Sequence, residues 1–292
     1  MRSVLGLLVA LVLLVSCGGA DAGGSGGTRV VGSLYPLAWA AGEVAGGRAE
    51  VTNLAPPGVE PHDLELDPGQ VRELAEADLV VYLGGGFQPG VEDVAGELDG
   101  SATLDVLEGR SLLAARDAGE AGDPHLWLDP TLMAEVATAI GERLADIDPA
   151  SADLYEWNAR ELGERLDELD AKYRTGLGSC MRDELIVSHE AFGYLTERYG
   201  LEQVGIAGLD PEAEPEPGRV AQVAELARER GVTTIFFERE LSPEIAETIA
   251  SEVGVNTAVL DPIEFPPENG EDYWSIMRAN LAAIRRALDC DG

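Results

Sequence analysis

The sequence contains three histidines, and each lies in a short motif that could hold a metal ion. The motifs read EPHD around His62, DPHLW around His125 and VSHE around His189. Imidazole is a common nitrogen ligand of zinc, and a site that stores a metal closes its shell with four ligands. The histidines lie 63 and 64 residues apart, too far for a zinc finger. A shared site would therefore have to be assembled by the tertiary fold.

The positions of these residues relative to predicted strands suggest such a site and a fourth member, Asp261. His62 follows a strand over residues 49–54 through a loop, whereas His189 and Asp261 directly follow strands over residues 184–188 and 256–260. Ligands of open parallel sheets bind beyond the carboxyl ends of the strands. His125 lies in a loop just before a helix. Three imidazoles and one carboxylate suit tetrahedral zinc at about 2.0–2.2 Å per bond.

Each of these residues also has a simpler interpretation. A single histidine near a strand end is more often a satisfied polar group than a ligand. Asp261 precedes Pro262 and could serve only to form a turn. Both interpretations remain open at the level of single residues, and the joint pattern favours the metal site.

The elements that would position these residues alternate in type. Short β-rich runs alternate with helical periodicity in both halves of the chain, which predicts βαβ units and mostly parallel sheets covered on both faces. A long amphipathic stretch over residues 150–177 separates the halves, and twenty-odd residues of helix within it would span about 30 Å. We therefore predict an α/β protein with two lobes, each with a mostly parallel sheet flanked by helices, joined by one long rigid helix. The predicted boundaries are 29–148 for the N-terminal lobe, 149–178 for the connecting helix and 179–292 for the C-terminal lobe.

The first 28 residues predict export and membrane attachment. Residues 1–16 have a positive start and an apolar segment too short to span a bilayer, as in a signal peptide. The segment LVSC, which ends at Cys17, resembles a bacterial lipobox, so we expect lipidation of Cys17 and a flexible tether over 17–28. Ordinary secretory cleavage near Ala20 or Ala22 is the alternative. The folded part is then expected outside the cytoplasm, anchored to the cell membrane by its lipid.

Export also bears on the two remaining cysteines. Cys180 and Cys290 form an even pair in an oxidising compartment, which predicts a disulfide between the last helix and the start of the second half. Two buried free thiols are the alternative. Neither thiol lies in a motif with a histidine and a base, so we do not expect a catalytic cysteine.

The charge of the chain excludes one class of partner. With 54 acidic and 20 basic residues, the net charge is −34, which excludes a nucleic-acid-binding protein. Surface charge could favour cation capture only weakly, because salt screens it within about 10 Å. We interpret most of the charge as a solubilising surface.

The order of the motifs resembles the metal-binding lipoproteins of ABC importers, the cluster A-I or ZnuA/TroA-like solute-binding family. The resemblance covers nearly the whole mature chain. It rests on PHD at 61–63 with the following helix over 67–78, DPHLWLDP at 123–130, SHEAFGY at 188–194, FFE at 236–238, DP at 261–262 and the terminal helix around 272–281. It implies two lobes with a metal buried between them. Carried over position by position, it marks His62, His125, His189 and Asp261 as the ligands.

The resemblance also bears on the choice of metal. In this family a histidine at the third ligand position, as at His189, accompanies zinc, whereas a glutamate there accompanies manganese. Nitrogen-rich shells do suit zinc, and oxygen-rich shells suit manganese. Many zinc members of the family carry a histidine-rich loop before the second ligand, whereas the loop over 110–122 here has no histidine and carries Asp117 and Glu120 instead. The resemblance therefore does not imply that this loop collects metal.

These observations predict a carrier and not an enzyme. We expect a monomer that captures Zn²⁺ and delivers it to an ABC transporter permease and its ATPase, with Mn²⁺ or another divalent cation as the alternative cargo. A zinc hydrolase would need an open coordination position and a base, for which Glu60 or Glu190 could serve if Asp261 were not a ligand. A surface adhesin is a third possibility that no residue pattern supports directly.

Overall fold

The computed structural model describes residues 27–62, 64–114, 122–267 and 269–290. The predicted signal peptide, Cys17 and nearly all of the predicted tether lie outside these residues, as do Asp117 and Glu120. Their predicted roles therefore stay predictions. Within the described ranges, no helix has both the length and the apolar character that crossing a membrane requires.

The first lobe is built on a four-stranded parallel sheet with the strand order β2-β1-β3-β4. Its strands are β1 (Thr28–Gly32), β2 (Ala49–Asn53), β3 (Leu79–Tyr82) and β4 (Thr103–Asp105). The helices between them are α1 (Tyr35–Ala45), α2 (Pro68–Glu76) and α3 (Pro89–Gly96). Asp67 caps α2: its carboxylate accepts from the Gly69 and Gln70 N–H groups, and proline occupies the first turn.

Two antiparallel helices lead from the first lobe to the second. They are α4 (Pro130–Ile147) and α5 (Ala152–Leu177), and they pack along each other. Asp129 caps α4 by accepting from the Thr131 N–H group. The 26 residues of α5 confirm the predicted long helix, since at 1.5 Å per residue they extend about 39 Å.

The second lobe repeats the architecture of the first. Its parallel sheet has the order β6-β5-β7-β8, with strands β5 (Glu184–Val187), β6 (Glu202–Gly205), β7 (Thr234–Phe237) and β8 (Asn256–Val259). Helices α6 (Gly193–Tyr199), α7 (Pro217–Arg230) and α8 (Glu244–Val253) connect the strands, and α9 (Tyr273–Leu288) follows them. The predicted fold class is thereby confirmed.

The largest apolar core runs through both lobes instead of being divided between them. It joins residues of the first sheet, the second sheet, α5 and α9, including Leu79, Val81, Leu166, Leu185, Phe236 and Met277. Two smaller apolar clusters lie elsewhere, one in each lobe. Since the shared core buries apolar surface from both sheets, separating the lobes would expose it to water.

Two further features tie distant parts of the second half together. The structure contains a disulfide between Cys180 and Cys290, which links the segment after α5 to the end of α9.

Asp170 on α5 is buried, and its carboxylate accepts from Arg174 Nε at 2.8 Å, Arg198 Nε at 2.7 Å and Tyr199 Oη at 3.2 Å. Since Arg198 and Tyr199 belong to α6, Asp170 fastens the connecting helix to the second lobe.

We predict that Asp170→Asn destabilises the protein in a pH-dependent way. Burial would raise the pKa of Asp170, but the hydrogen bonds and charges of Arg198 and Arg174 outweigh it and hold that pKa below its usual range. A lowered folded-state pKa stabilises the fold above the unfolded-state pKa of about 3.9, and this contribution is lost as the pH falls through the folded-state pKa. Asp170→Asn should lower the free energy of unfolding by about 1–3 kcal/mol at pH 7.

Urea unfolding at pH 7 and at a pH below 4 measures this effect, and the difference from wild type should shrink at the lower pH. Asp167→Asn, an exposed position on the same helix, is the control and should change little. An equal loss of stability at both pH values would contradict the assigned role of the carboxylate.

Candidate metal centre

Four side chains from both lobes converge on one point between the sheets. His62, His125, His189 and Glu264 each offer a potential ligand atom, and these atoms lie within 4.8 Å of one another. The centroids of the three imidazole rings are 5.4 to 6.0 Å apart. The three predicted histidines are thus brought together, as a shared site requires.

His62 lies in the loop after β2, and the first lobe holds this loop from two sides. The His62 N–H group donates to Glu60 Oε1 at 3.1 Å, and Gln88 Nε2 donates to the Pro61 carbonyl at 3.1 Å. The imidazole ring packs edge-on against Phe87, with the ring centroids 4.4 Å apart. Its side chain keeps 13% of its surface exposed, whereas those of the other three members are fully buried.

His125 is oriented by a carboxylate two residues earlier. Asp123 Oδ1 lies 2.8 Å from His125 Nδ1 and also accepts from the His125 backbone N–H at 2.9 Å. Tyr194 of the second lobe donates its hydroxyl to the Asp123 carbonyl at 3.0 Å. The loop before α4 is therefore held by contacts from both lobes.

His189 follows β5 after a single residue and has a similar carboxylate partner. Glu238, directly after β7, places Oε1 2.6 Å from His189 Nδ1, and the Ser188 hydroxyl donates to the same oxygen. A carboxylate at Nδ1 favours the tautomer that carries its proton there. In His125 and His189 the lone pair of Nε2 then faces the centre of the group.

Glu264 completes the group from the segment after β8. Its Oε1 atom lies 3.0 Å from His125 Nε2, 3.5 Å from His189 Nε2 and 3.6 Å from His62 Nε2. These three nitrogens and both Glu264 oxygens make no hydrogen bond of ordinary geometry with any part of the chain that the structure describes. Buried polar atoms rarely lack a hydrogen-bond partner, and a cation at the centre would pair with all four residues. The donor set therefore fits a metal ion.

The electrostatics of the group reflect its burial and its mixed charge. Burial would raise the pKa of Glu264, but the three imidazoles outweigh it and hold that pKa well below its usual range. Burial lowers the pKa of His62. Nearby Glu60 has its pKa raised to about 8 by burial and by the negative charge of Glu264. A second ionised carboxylate beside Glu264 is thus disfavoured in the absence of a cation.

Asp261, the predicted fourth ligand, lies outside this group, and Glu264 takes its place. Asp261 Oδ1 accepts from the Ile263 N–H group at 2.8 Å, and its Oδ2 atom lies 3.9 Å from Arg239 Nε. Burial raises the pKa of Asp261 to about 6. The carboxylate therefore closes the turn after β8, which is the simpler role that the Asp-Pro sequence also allowed.

Sequence reasoning missed three carboxylates that belong to the centre: Asp123, Glu238 and Glu264. A signal was present for two of them. Asp123 lies two residues before His125, a usual separation for a local hydrogen bond, and Glu238 ends the FFE motif at 236–238. Nothing local distinguishes Glu264 from Asp261, since both follow the same strand.

Known proteins with similar sequences carry names that refer to zinc. The chain is 34% identical over 300 residues to the high-affinity zinc uptake system protein ZnuA of Bacillus subtilis (strain 168), covering 95% of this chain and 94% of that protein. It is 33% identical to the zinc-binding lipoprotein AdcA of Streptococcus pneumoniae (strain R6), covering all of this chain. It spans only 62% of the length of AdcA.

Solved structures agree with these sequence matches. The Zn(II)-bound ZnuA-like domain of S. pneumoniae AdcA superimposes with a TM-score of 0.79 at 34% identity, covering 90% of this chain and all of that one. The laminin-binding protein Lmb of Streptococcus agalactiae, described as bifunctional with adhesin and metal-transporting activity, gives 0.81 at 30% identity, covering 90% of this chain and 99% of that one. The family described as zinc-uptake complex component A, periplasmic, matches residues 30–287. This chain belongs to that family, ZnuA.

Proposed function

We propose that this protein captures one Zn²⁺ ion between its lobes and delivers it to an ABC transporter permease. The ligands in this proposal are His62, His125, His189 and Glu264. The observation that carries it is that three buried Nε2 atoms and one buried carboxylate converge on one point. These atoms make no hydrogen bond of ordinary geometry with any described residue.

The composition of the group supports zinc over manganese and magnesium. Three nitrogens and one carboxylate oxygen match the ligands and the number that tetrahedral zinc takes. Manganese and magnesium prefer shells made mostly of oxygen. The carboxylates behind His125 and His189 raise the basicity of those two imidazoles, which strengthens their bonds to the metal.

The closed shell supports a carrier over a catalyst. A zinc hydrolase keeps one coordination position open for water. Here four protein ligands would fill a tetrahedral shell, and three of them are fully buried. The metal would be held for release and not used for chemistry.

The partner and location in the proposal follow from the family. The description of the family as a component of a zinc-uptake complex supports an ABC permease and its ATPase as the receiving machinery. The lipoprotein name of AdcA supports anchoring through Cys17, which would keep the protein, in our proposal a monomer, next to its permease outside the cytoplasm.

The asymmetry of the site supports a direction for zinc exchange. His62 is the only partly exposed side chain of the four and packs against Phe87. No carboxylate is described within hydrogen-bonding distance of its Nδ1 atom, unlike those of His125 and His189. Zinc would therefore enter and leave on the His62 side, while the other three ligands stay in place.

We predict that the purified metal-free protein binds one zinc per chain, and that His189→Ala or Glu264→Gln weakens binding by more than about 100-fold. Each change removes a ligand and leaves the remaining polar groups unpaired. Calorimetry, with a chelator as competitor if binding is too tight, measures the affinity. Glu76→Gln, which alters an exposed carboxylate paired with Arg29, is the matched control. Wild-type protein that takes up no zinc would end the proposal.

We also expect both His62→Ala and His189→Ala to weaken zinc binding, with the dissociation constant of His62→Ala about 10-fold lower than that of His189→Ala. Water can replace the partly exposed His62 ring, whereas loss of His189 deprives the buried Glu238 carboxylate of its imidazole partner. Chelator competition compares the affinities, and stopped-flow mixing with excess chelator should show faster release from His62→Ala than from wild type. A larger loss of affinity in His62→Ala would contradict the assigned exchange side.

Delivery to a permease can be tested in cells. A strain that lacks this protein is starved of zinc with a chelator. Expression of the wild type should then restore growth, and expression of Glu264→Gln should not. Added zinc should restore growth in both cases, and comparable amounts of the two proteins must be shown by immunoblot. Equal growth with wild type and Glu264→Gln would argue against zinc delivery through this site.

A further inference from the structure

We propose that Asp261 is a positioning residue: its carboxylate holds the backbone at Ile263 in the conformation that places Glu264 among the three histidines. This inference rests on the proposed zinc function. It gives the acidic residue at the end of β8 a role in the affinity of the site without making it a ligand.

The backbone at Ile263 is the first observation. Its φ angle is +63°, in the left-handed region that L side chains rarely adopt and that β-branched residues adopt most rarely. The side chain is fully buried in the core shared by the lobes, and the next residue is Glu264. Such a conformation persists only where the surroundings hold it.

The carboxylate of Asp261 supplies part of that hold. Its Oδ1 atom accepts the Ile263 N–H group at 2.8 Å, which closes a tight turn around Pro262. Asp261 itself is fixed by Asn280 of α9, which accepts the Asp261 N–H at 3.0 Å and donates to the Asp261 carbonyl at 2.7 Å. The turn is therefore anchored to a helix at its first residue.

The first lobe holds the other side of the same turn. Trp127 Nε1 donates to the Pro262 carbonyl at 2.7 Å, and Tyr273 donates its hydroxyl to the Trp127 carbonyl at 2.6 Å. Since Trp127 lies two residues after His125, these bonds relate the position of the Glu264 turn to that of His125. With Asp261 and Asn280, they leave the turn little freedom to move Glu264 away.

The surroundings of Asp261 account for its absence from the ligand group. One carboxylate oxygen bonds within its own turn, and the other faces Arg239, which also pairs with Glu271. Neither oxygen of Asp261 belongs to the group of potential ligand atoms around Glu264. The carboxylate is instead directed into its own turn and toward Arg239, as the positioning role requires.

The two roles predict different outcomes for conservative substitution. Asparagine keeps an oxygen that can accept the Ile263 N–H group but is a much poorer zinc ligand than a carboxylate, whereas alanine removes both functions. If Asp261 positions Glu264, Asp261→Asn should bind zinc within about 3-fold of wild type, and Asp261→Ala should be weaker by about 10-fold or more. Glu264→Gln serves as the reference for loss of a ligand.

The experiment measures zinc affinity by chelator competition for the purified wild type, Asp261→Asn, Asp261→Ala and Glu264→Gln. Absorption spectra of the Co²⁺ forms report the ligand shell, and Asp261→Asn should reproduce the wild-type spectrum. Circular dichroism of the metal-free forms checks folding. If Asp261→Ala does not fold, the affinity of Asp261→Asn alone tests the positioning role. The criterion is then whether its log Kd lies closer to that of the wild type or to that of Glu264→Gln.

The positioning role is overturned if the log Kd of Asp261→Asn lies closer to that of Glu264→Gln or if this variant changes the Co²⁺ spectrum. It is also overturned if folded Asp261→Ala binds zinc as tightly as wild type. If the wild type binds zinc and either of these results is obtained, only the positioning role is refuted. A wild type without zinc binding refutes the proposed function, and the positioning role with it.

Discussion

The carboxylate of Glu264, buried among three imidazoles, is the constraint on which the rest of this structure depends. An ionised carboxylate in an apolar interior is costly unless it is paired, and neither Glu264 oxygen makes an ordinary hydrogen bond with a described residue. The imidazoles and the proposed cation supply the pairing. The carboxylates at Asp123 and Glu238 orient two of these imidazoles, so the negative charge is distributed around the ligands.

Holding such a group requires that the two lobes stay in a fixed relation. The apolar core is continuous through both sheets, α5 runs beside it, and Trp127 and Tyr273 make hydrogen bonds between the segments of His125 and Glu264. Large opening would break these bonds and expose the core to water. The expected motion is therefore local, at the loop of His62, whose side chain alone among the four reaches the surface.

The strongly acidic composition has two separate meanings. Most of the 54 acidic residues cover the surface, where solvent and salt screen them. A few are buried, and those at Glu60, Asp123, Glu238 and Glu264 surround the histidines. Net charge alone could not distinguish the two sets, because it says nothing about burial. The chemistry of the site depends on the small buried set.

The sequence by itself determined the alternation of strands and helices, the long helix and the positions of the three histidines in loops and at a strand end. These features depend on residues close together along the chain, so their signals are local. The fourth member of the proposed zinc site was decided only by tertiary structure. Asp261 and Glu264 follow the same strand, and contacts from Asn280, 19 residues away, and Trp127, 135 residues away, fix the turn between them. A choice made by contacts so distant in sequence cannot be read from either residue's neighbours.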